Sequence, residues 1–350
     1  IINNVFLYTN ENTLFLEATD LEISFKTSIP CTIHEQGAIT ISARKFYEII
    51  KEFPSEEIKL DEDENNWLKI GADERAVYRL GGLPPDDFPR FRQISKENSI
   101  EFNPEKLVVL IEKTLFSASH DDSKFGLSGI FFKQEKKDGK VFARMVSSDG
   151  HRLSLQETEI DSPGFRDIES GFIIPRKGAQ EIKKLIDGSE DKILFGKDEN
   201  FCFVISGNDH LLIRLVDDKF PDYKAIIPTT KERSFKFDKT SLFSALKRIS
   251  ILSSDSTFRG VKASIKKDIM EVESLNKDLG EAKEILTVSY DGHPFEIAFN
   301  AKYMMDALMV MKSKEVEMTS NTPESPCLIR GEDDPGFLAL IMPMSLVNEG

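Results

Sequence analysis

A strand, a turn and a helix recur three times along this chain, and that recurrence limits what it can fold into. Gly171 to Asp187 reads GFIIPRKGAQEIKKLID, an apolar strand, a Pro-Arg-Lys turn, and a helix with Ile182, Leu185 and Ile186 on one face. Gly37 to Phe53 (GAITISARKFYEIIKEF) and Pro294 to Lys312 (PFEIAFNAKYMMDALMVMK) repeat the grammar. Ala43, Pro175 and Asn300 hold equivalent places before the helix, at spacings of 132 and then 125 residues. Downstream, LPPDDFPRF from Leu83 and LVDDKFPDY from Leu215 echo one another. Periods this long mark repeated domains, not solenoid turns.

The first repeat places short strands at Asn4–Tyr8, Thr13–Ala18 and Glu22–Ser28, punctuated by Asn and Asp turns. A strand at 39–42 leads into a helix over 44–53, stopped by Pro54, and strands follow at 58–60, 67–70 and 76–80. Asp61, Glu62, Asp63 and Glu64 read as a solvated turn. The second and third repeats each open on a strand and an amphipathic helix, SIEFNPEKLVVLIEKTLFSAS and SFKFDKTSLFSALKRISILSS. The first has no such opening, so a strand and helix of roughly 25 residues, the length of those counterparts, is expected to be missing from this sequence. Pro-containing connectors bound the repeats at 1–98, 99–228 and 229–350. The fold class is α+β with mainly antiparallel sheets, two helices to each full domain.

Charge is unevenly spread. The chain carries −14 overall, yet its five helical stretches sum to +8, leaving −22 for the rest. The stretches 176–186 and 239–248 contribute +3 each. Solvated amphipathic helices in an acidic protein would give this pattern, and so would a cationic surface kept apart from an acidic one. Cys31, Cys202 and Cys327 lie one to a repeat, as in a reduced cytoplasmic protein rather than a disulfide framework. No apolar run of about 18 residues argues for membrane insertion.

Catalytic chemistry finds little support. Ser147 to Leu153, SSDGHRL, clusters Ser, Asp and His, but a triad is a spatial arrangement that adjacency on a turn does not supply. Asp149-Gly150 is a favoured turn pair. Cys31 and His34 have metal-like spacing without a second pair, so no metal is expected. No phosphate-binding glycine loop occurs, so no nucleotide cofactor is indicated. The tail Phe337 to Leu346, FLALIMPMSL, supplies a final strand, and past it a Met-rich surface for apolar ligands, since Pro343 limits strand pairing.

Taken in order, SSDGHRL, FIIPRKG, RLVDDKFPDY, FRGV at Phe258, FNAKYMMDAL and the terminal MPM resemble the bacterial sliding clamp, the beta subunit of DNA polymerase III, over essentially the whole chain. The resemblance implies a DNA clamp fold: three similar domains, helices lining a ring interior, antiparallel sheets outside. It implies a non-catalytic processivity factor that encircles double-stranded DNA as a head-to-tail homodimer. Elementary geometry agrees with two chains. A domain of this size is a sphere about 35 Å across, so three touching spheres enclose a hole of about 5 Å and six enclose about 35 Å. A duplex about 20 Å across needs the larger hole.

The resemblance also distributes residues among roles. Lys124, Phe125, Arg176 and Lys177 fall near DNA, though Asp121 and Gly126 stand where the family often has longer side chains, weakening contact there. Lys45, Arg75, Tyr78 and Leu80 of one chain would meet Ile251, Leu252, Asp278, Glu281 and Glu284 of the next. A groove for the replicative polymerase, the clamp loader, other polymerases and repair proteins draws on Leu127, Ser148, Gly150, His151, Arg152 and Leu153 from the second repeat. Pro221, Ile226, Phe258, Asn300, Tyr303 and Pro326 follow, and then Leu340, Ile341, Met342, Pro343, Met344 and Leu346. Ala225, where a basic residue can occur, and the extension Val347 to Gly350 alter the rim. Two other readings stay open at this point: a hydrolase built on Asp149 and His151, and an acidic adaptor without a DNA role.

Overall fold

The structure, a computed structural model, describes residues 2–63, 65–72, 76–121, 123–161, 165, 171–253, 260–274 and 280–344. Every strand pair in its two sheets is antiparallel, and contacts divide the chain into two compact units. One comprises Ile1–Pro104, Gly164–Asp167 and Glu181–Leu215; the other comprises Glu105–Pro163, Ile168–Gln180 and Val216–Gly350.

The first unit holds an 11-stranded sheet. The first repeat supplies seven consecutive strands, and its strand Ile23–Pro30 pairs with Asp209–Arg214, which brings Phe201–Ser206, Ile193–Asp198 and Ser99–Phe102 after it. The second unit holds a 12-stranded sheet in which Arg152–Ile160 pairs with Phe337–Ile341. Strands of different repeats therefore join within each sheet, so compactness does not follow the repeat boundaries.

Five α-helices lie among the described residues: α1 (Ala43–Lys51), α2 (Pro104–Leu115), α3 (Arg176–Ile186), α4 (Lys239–Ile249) and α5 (Ala301–Met309). Cap chemistry explains three starts, since Ser42, Asp238 and Asn300 accept hydrogen bonds from the amides of Lys45, Ser241 and Lys302 at 3.5, 2.7 and 2.9 Å. Helix α1 ends at Lys51, ahead of Pro54. Its Phe46, Ile49 and Ile50 pack on a core of Val5, Leu7, Ile39, Ile41, Leu68 and Ile70. In the second unit α4 and α5 bury Leu242, Leu246, Met304 and Leu308 against Phe235, Ile297 and Phe299.

One reading fails here. Asp61, Glu62 and Asp63 are not in a turn but in an outer strand, Lys59–Asp63, paired with Trp67–Gly71; Glu64 lies outside the described residues. Their acidity hides the strand from pattern reading, because pairing comes from the neighbour and not from local propensity. Charge on a sheet edge also blocks further strand addition.

The ion pair between Lys113 of α2 and Asp334, 2.6 Å apart, is buried in the second unit. The Asp334 carboxylate also accepts from the amides of Lys312 and Ser313 and from the Ser313 hydroxyl. Burial pushes this carboxyl up, but the Lys113 ammonium and those donors outweigh it and hold it at about 2. Its stabilising contribution is complete above the ordinary Asp value near 4 and fades as pH falls toward 2. Asp334→Asn strands the buried ammonium and should cost about 3–5 kcal/mol, read as a lower urea midpoint, with Lys113→Met/Asp334→Asn recovering part of it because the Asn oxygen still accepts from the Lys312 and Ser313 amides. An unshifted midpoint in Asp334→Asn would show that the pair does not brace the fold.

Candidate functional site

Ser147 and Ser148 end the strand Lys140–Ser148, Asp149 to His151 turn the chain, and Arg152 starts the strand Arg152–Ile160. Gly150 takes a φ of +91°, a conformation that favours glycine. The Asp149 carboxylate accepts from the amides of His151 and Arg152 at 2.9 and 3.0 Å and from Arg152 Nε at 3.0 Å. The buried Arg152 guanidinium donates onward to Asp306 at 2.6 Å and to the Phe116 carbonyl at 2.8 Å, and lies 4.4 Å from the Tyr303 ring centre. Ser147 is buried with Ser117, Ser154 and the Thr114 carbonyl, while His151 is exposed. Asp149 is thus committed to the turn and to Arg152, and the three groups do not converge as a hydrolytic site requires.

An apolar cleft of about 160 Å³ opens beside this turn. Its walls are Leu127, Ser148, Gly150, Arg152, Leu153, Phe220, Pro221, Asp222, Tyr223, Ile226, Leu340 and Met342. Leu153 and Leu340 face each other across the strand pair that joins the second and third repeats. Behind Pro221, Phe220 stacks on Phe131 with centroids 5.1 Å apart, and the Tyr223 hydroxyl accepts from Arg144 at 3.1 Å. Asp222 caps the helical turn Tyr223–Ile226 through the Lys224 amide. The tail is pinned at two points: the Met342 amide donates to the His151 carbonyl, and that of Met344 to the Ala298 carbonyl, each at 2.8 Å. Met342 keeps 37% of its surface exposed, and a flexible thioether at a cleft mouth adapts to varied apolar groups.

Nine expected groove residues meet in the cleft: Leu127, Ser148, Gly150, Arg152, Leu153, Pro221, Ile226, Leu340 and Met342. Others stand elsewhere. Ile341 points to the opposite side of its strand, into the core of the third repeat with Phe337 and Ala339, whereas Leu338 and Leu340 turn toward the cleft side. Asn300 caps α5, and Tyr303 packs under Arg152. His151, Pro326, Pro343 and Met344 are not among the lining residues. Phe258 and Leu346 lie outside the described residues. The aromatic pair Phe220 and Tyr223, together with Asp222, was missed, although the repeated FPRF and FPDY segments were its signal.

The cations assigned to DNA have structural attachments as well. Lys124 Nζ donates to the Asp149 carbonyl at 3.1 Å, and Arg176 Nη1 to the Leu115 and Ala118 carbonyls at the end of α2. Burial and the neighbouring Arg152 charge lower the proton affinity of Arg176. Lys177 is exposed, and the side chain of Phe125 lies outside the described residues. A Cβ on Gly126 would sit 2.8 Å from the Lys219 carbonyl, so this loop conformation leaves no room for a longer residue there.

The expected interface residues divide between the units. In the first, Tyr78 is 43% exposed beside Phe53, Leu80 packs on the core, and Lys45 is paired with Glu48. In the second, Ile251 is 69% exposed, Glu281 is exposed, and Glu284 makes a two-point pair with Arg248. Lys45 and Glu284 therefore have partners within the chain. Arg75, Asp278 and the side chain of Leu252 lie outside the described residues.

Comparison with known proteins gives one family throughout. The N-terminal, central and C-terminal domains of the DNA polymerase III beta subunit match residues 1–92, 101–222 and 224–345. The chain belongs to the beta sliding clamp family. Beta sliding clamps of Proteus mirabilis and Escherichia coli K12 are 32% and 31% identical, each over 99% of this chain and 92% of theirs. A sliding clamp structure from Pseudomonas aeruginosa superposes with a TM-score of 0.92 at 28% identity, and one from Bartonella birtlesii bound to griselimycin with 0.92 at 30%. Each covers 99% of this chain and 92% of the compared one. As a sliding clamp it is a non-catalytic processivity subunit, which removes the hydrolase and adaptor readings. Among the described residues no helix is long and apolar enough to cross a membrane.

Proposed function

We propose that this clamp acts in the cytoplasm, closed around duplex DNA as a head-to-tail homodimer, and that the cleft beside Gly150 receives short apolar segments of its partners. The family match along all three blocks carries the reading. Lys124, Arg176 and Lys177 hold phosphates without reading bases. Helices α3 and α4, at +3 each in a chain of −14, supply a cationic lining against an acidic remainder. Tyr78 and Ile251, both exposed and apolar, close the ring as opposite halves of a heterologous interface. Lys45 and Glu284 are paired internally, so Tyr78 and Ile251 supply the apolar part of that joint.

Tethering explains processivity. A polymerase bound to a closed ring cannot diffuse away, so its effective concentration at the primer end stays high. The cleft is small and mostly apolar, suited to a few side chains of a partner and not to a cofactor.

Three outcomes are expected. Clamp loaded by a cognate loader and ATP should stay on nicked circular duplex at high salt and leave once the DNA is cut to linear form; equal loss from both would mean ordinary electrostatic binding. Met342→Ala should weaken a labelled peptide with Leu and Phe anchors by about tenfold while sedimentation still reports a dimer; an unchanged Kd would exclude Met342 from the binding surface. Ile251→Asp should yield monomers with intact peptide binding, and a dimer persisting at micromolar protein would remove Ile251 from the joint.

A further inference from the structure

Lys124 stands between two roles. Its ammonium holds the carbonyl of Asp149, the residue that opens the Gly150 turn, and a Cβ on Gly150 would lie 3.8 Å from that ammonium. Gly150 is a wall of the cleft, and so is Leu127, which belongs to the same loop as Lys124. That loop closes on itself: the Lys124 amide donates to Asp121, the Leu127 amide to Lys124, and the Ser119 amide to Leu127, at 3.0, 2.8 and 2.9 Å. The Lys124 ammonium therefore touches the Gly150 wall directly, while its backbone belongs to the loop that carries Leu127.

The end of α2 repeats the arrangement. Arg176, from the DNA set, donates to the Leu115 and Ala118 carbonyls, while Arg152, from the cleft, donates to the Phe116 carbonyl between them. One helix terminus is shared by a cation from each function.

We propose that DNA and the cleft ligand are negatively coupled through Lys124: a phosphate that draws its ammonium from the Asp149 carbonyl loosens the Gly150 turn, and the cleft then binds its peptide less tightly. This rests on the reading in which Lys124 faces DNA. The turn keeps its bonds to Arg152, so the loss is that of one exposed charge-assisted hydrogen bond, about two- to fivefold in affinity. Reciprocity requires an occupied cleft to weaken the phosphate contact by the same factor. A clamp carrying a partner then grips DNA less and slides more freely.

The test uses the full-chain dimer at low salt and a fluorescent peptide with Leu and Phe anchors, with and without a saturating short blunt duplex whose own binding is followed by a second label. Lys124→Met keeps the aliphatic stem at an exposed position, and its Tm should match the parent. In the parent, duplex should raise the peptide Kd about two- to fivefold; Lys124→Met should start from the weaker value and not respond to duplex. A bound duplex with no change in the parent Kd, or an equal shift in Lys124→Met, overturns the coupling alone. Failure of the duplex to bind the parent overturns the DNA reading and the coupling with it.

Discussion

An antiparallel sheet must satisfy the row of amide and carbonyl groups along each edge, and here two edges are closed by strands from another repeat. Ile23–Pro30 is completed by Asp209–Arg214, and Arg152–Ile160 by Phe337–Ile341. The second pairing creates the cleft, because it sets Leu153 beside Leu340 and brings Met342 to the Gly150 turn. Without it the second repeat's ten lining residues would lack Leu340 and Met342. The site is a consequence of edge closure, not an addition to a finished domain.

Charge then fixes what backbone pairing leaves loose. Arg152 is held between two carboxylates and the Phe116 carbonyl just past α2, and Asp334 is where four hydrogen-bond donors converge, Lys113 among them. Groups of this kind stabilise little relative to apolar replacements, but a half-broken set is costly. Their effect is geometric: Arg152 ties the turn to α5 through Asp306, and Asp334 ties α2 to the amides of Lys312 and Ser313. The same commitment disqualifies Asp149 as a general base.

The repeat, the helix starts and the antiparallel character were legible because each has a local signature. Ser42, Asp238 and Asn300 precede their helices as capping residues do, and apolar spacing marks the buried faces. Long-range pairing leaves no such mark. FLALI is apolar at every position, so nothing local says that Leu340 faces the cleft and Ile341 the core; the register with Arg152–Ile160 decides it. Asp306 and Asp334 are ordinary acidic residues in sequence and become structural only beside Arg152 and Lys113. Lys59–Asp63 is a strand by virtue of its neighbour. Family resemblance supplied most of the cleft because it carries those long-range pairings implicitly.

The strand pair behind the cleft also sets an order of events during biosynthesis. Leu340 follows Leu153 by 187 residues, so the second wall is made long after the first. Contacts at such separation form late, since the intervening chain must be ordered before they offset the cost of closure. Until then Leu153, Tyr223 and their neighbours present an incomplete surface. A nascent chain therefore lacks the finished cleft until its third repeat has folded, and a whole cleft reports that this pairing is made.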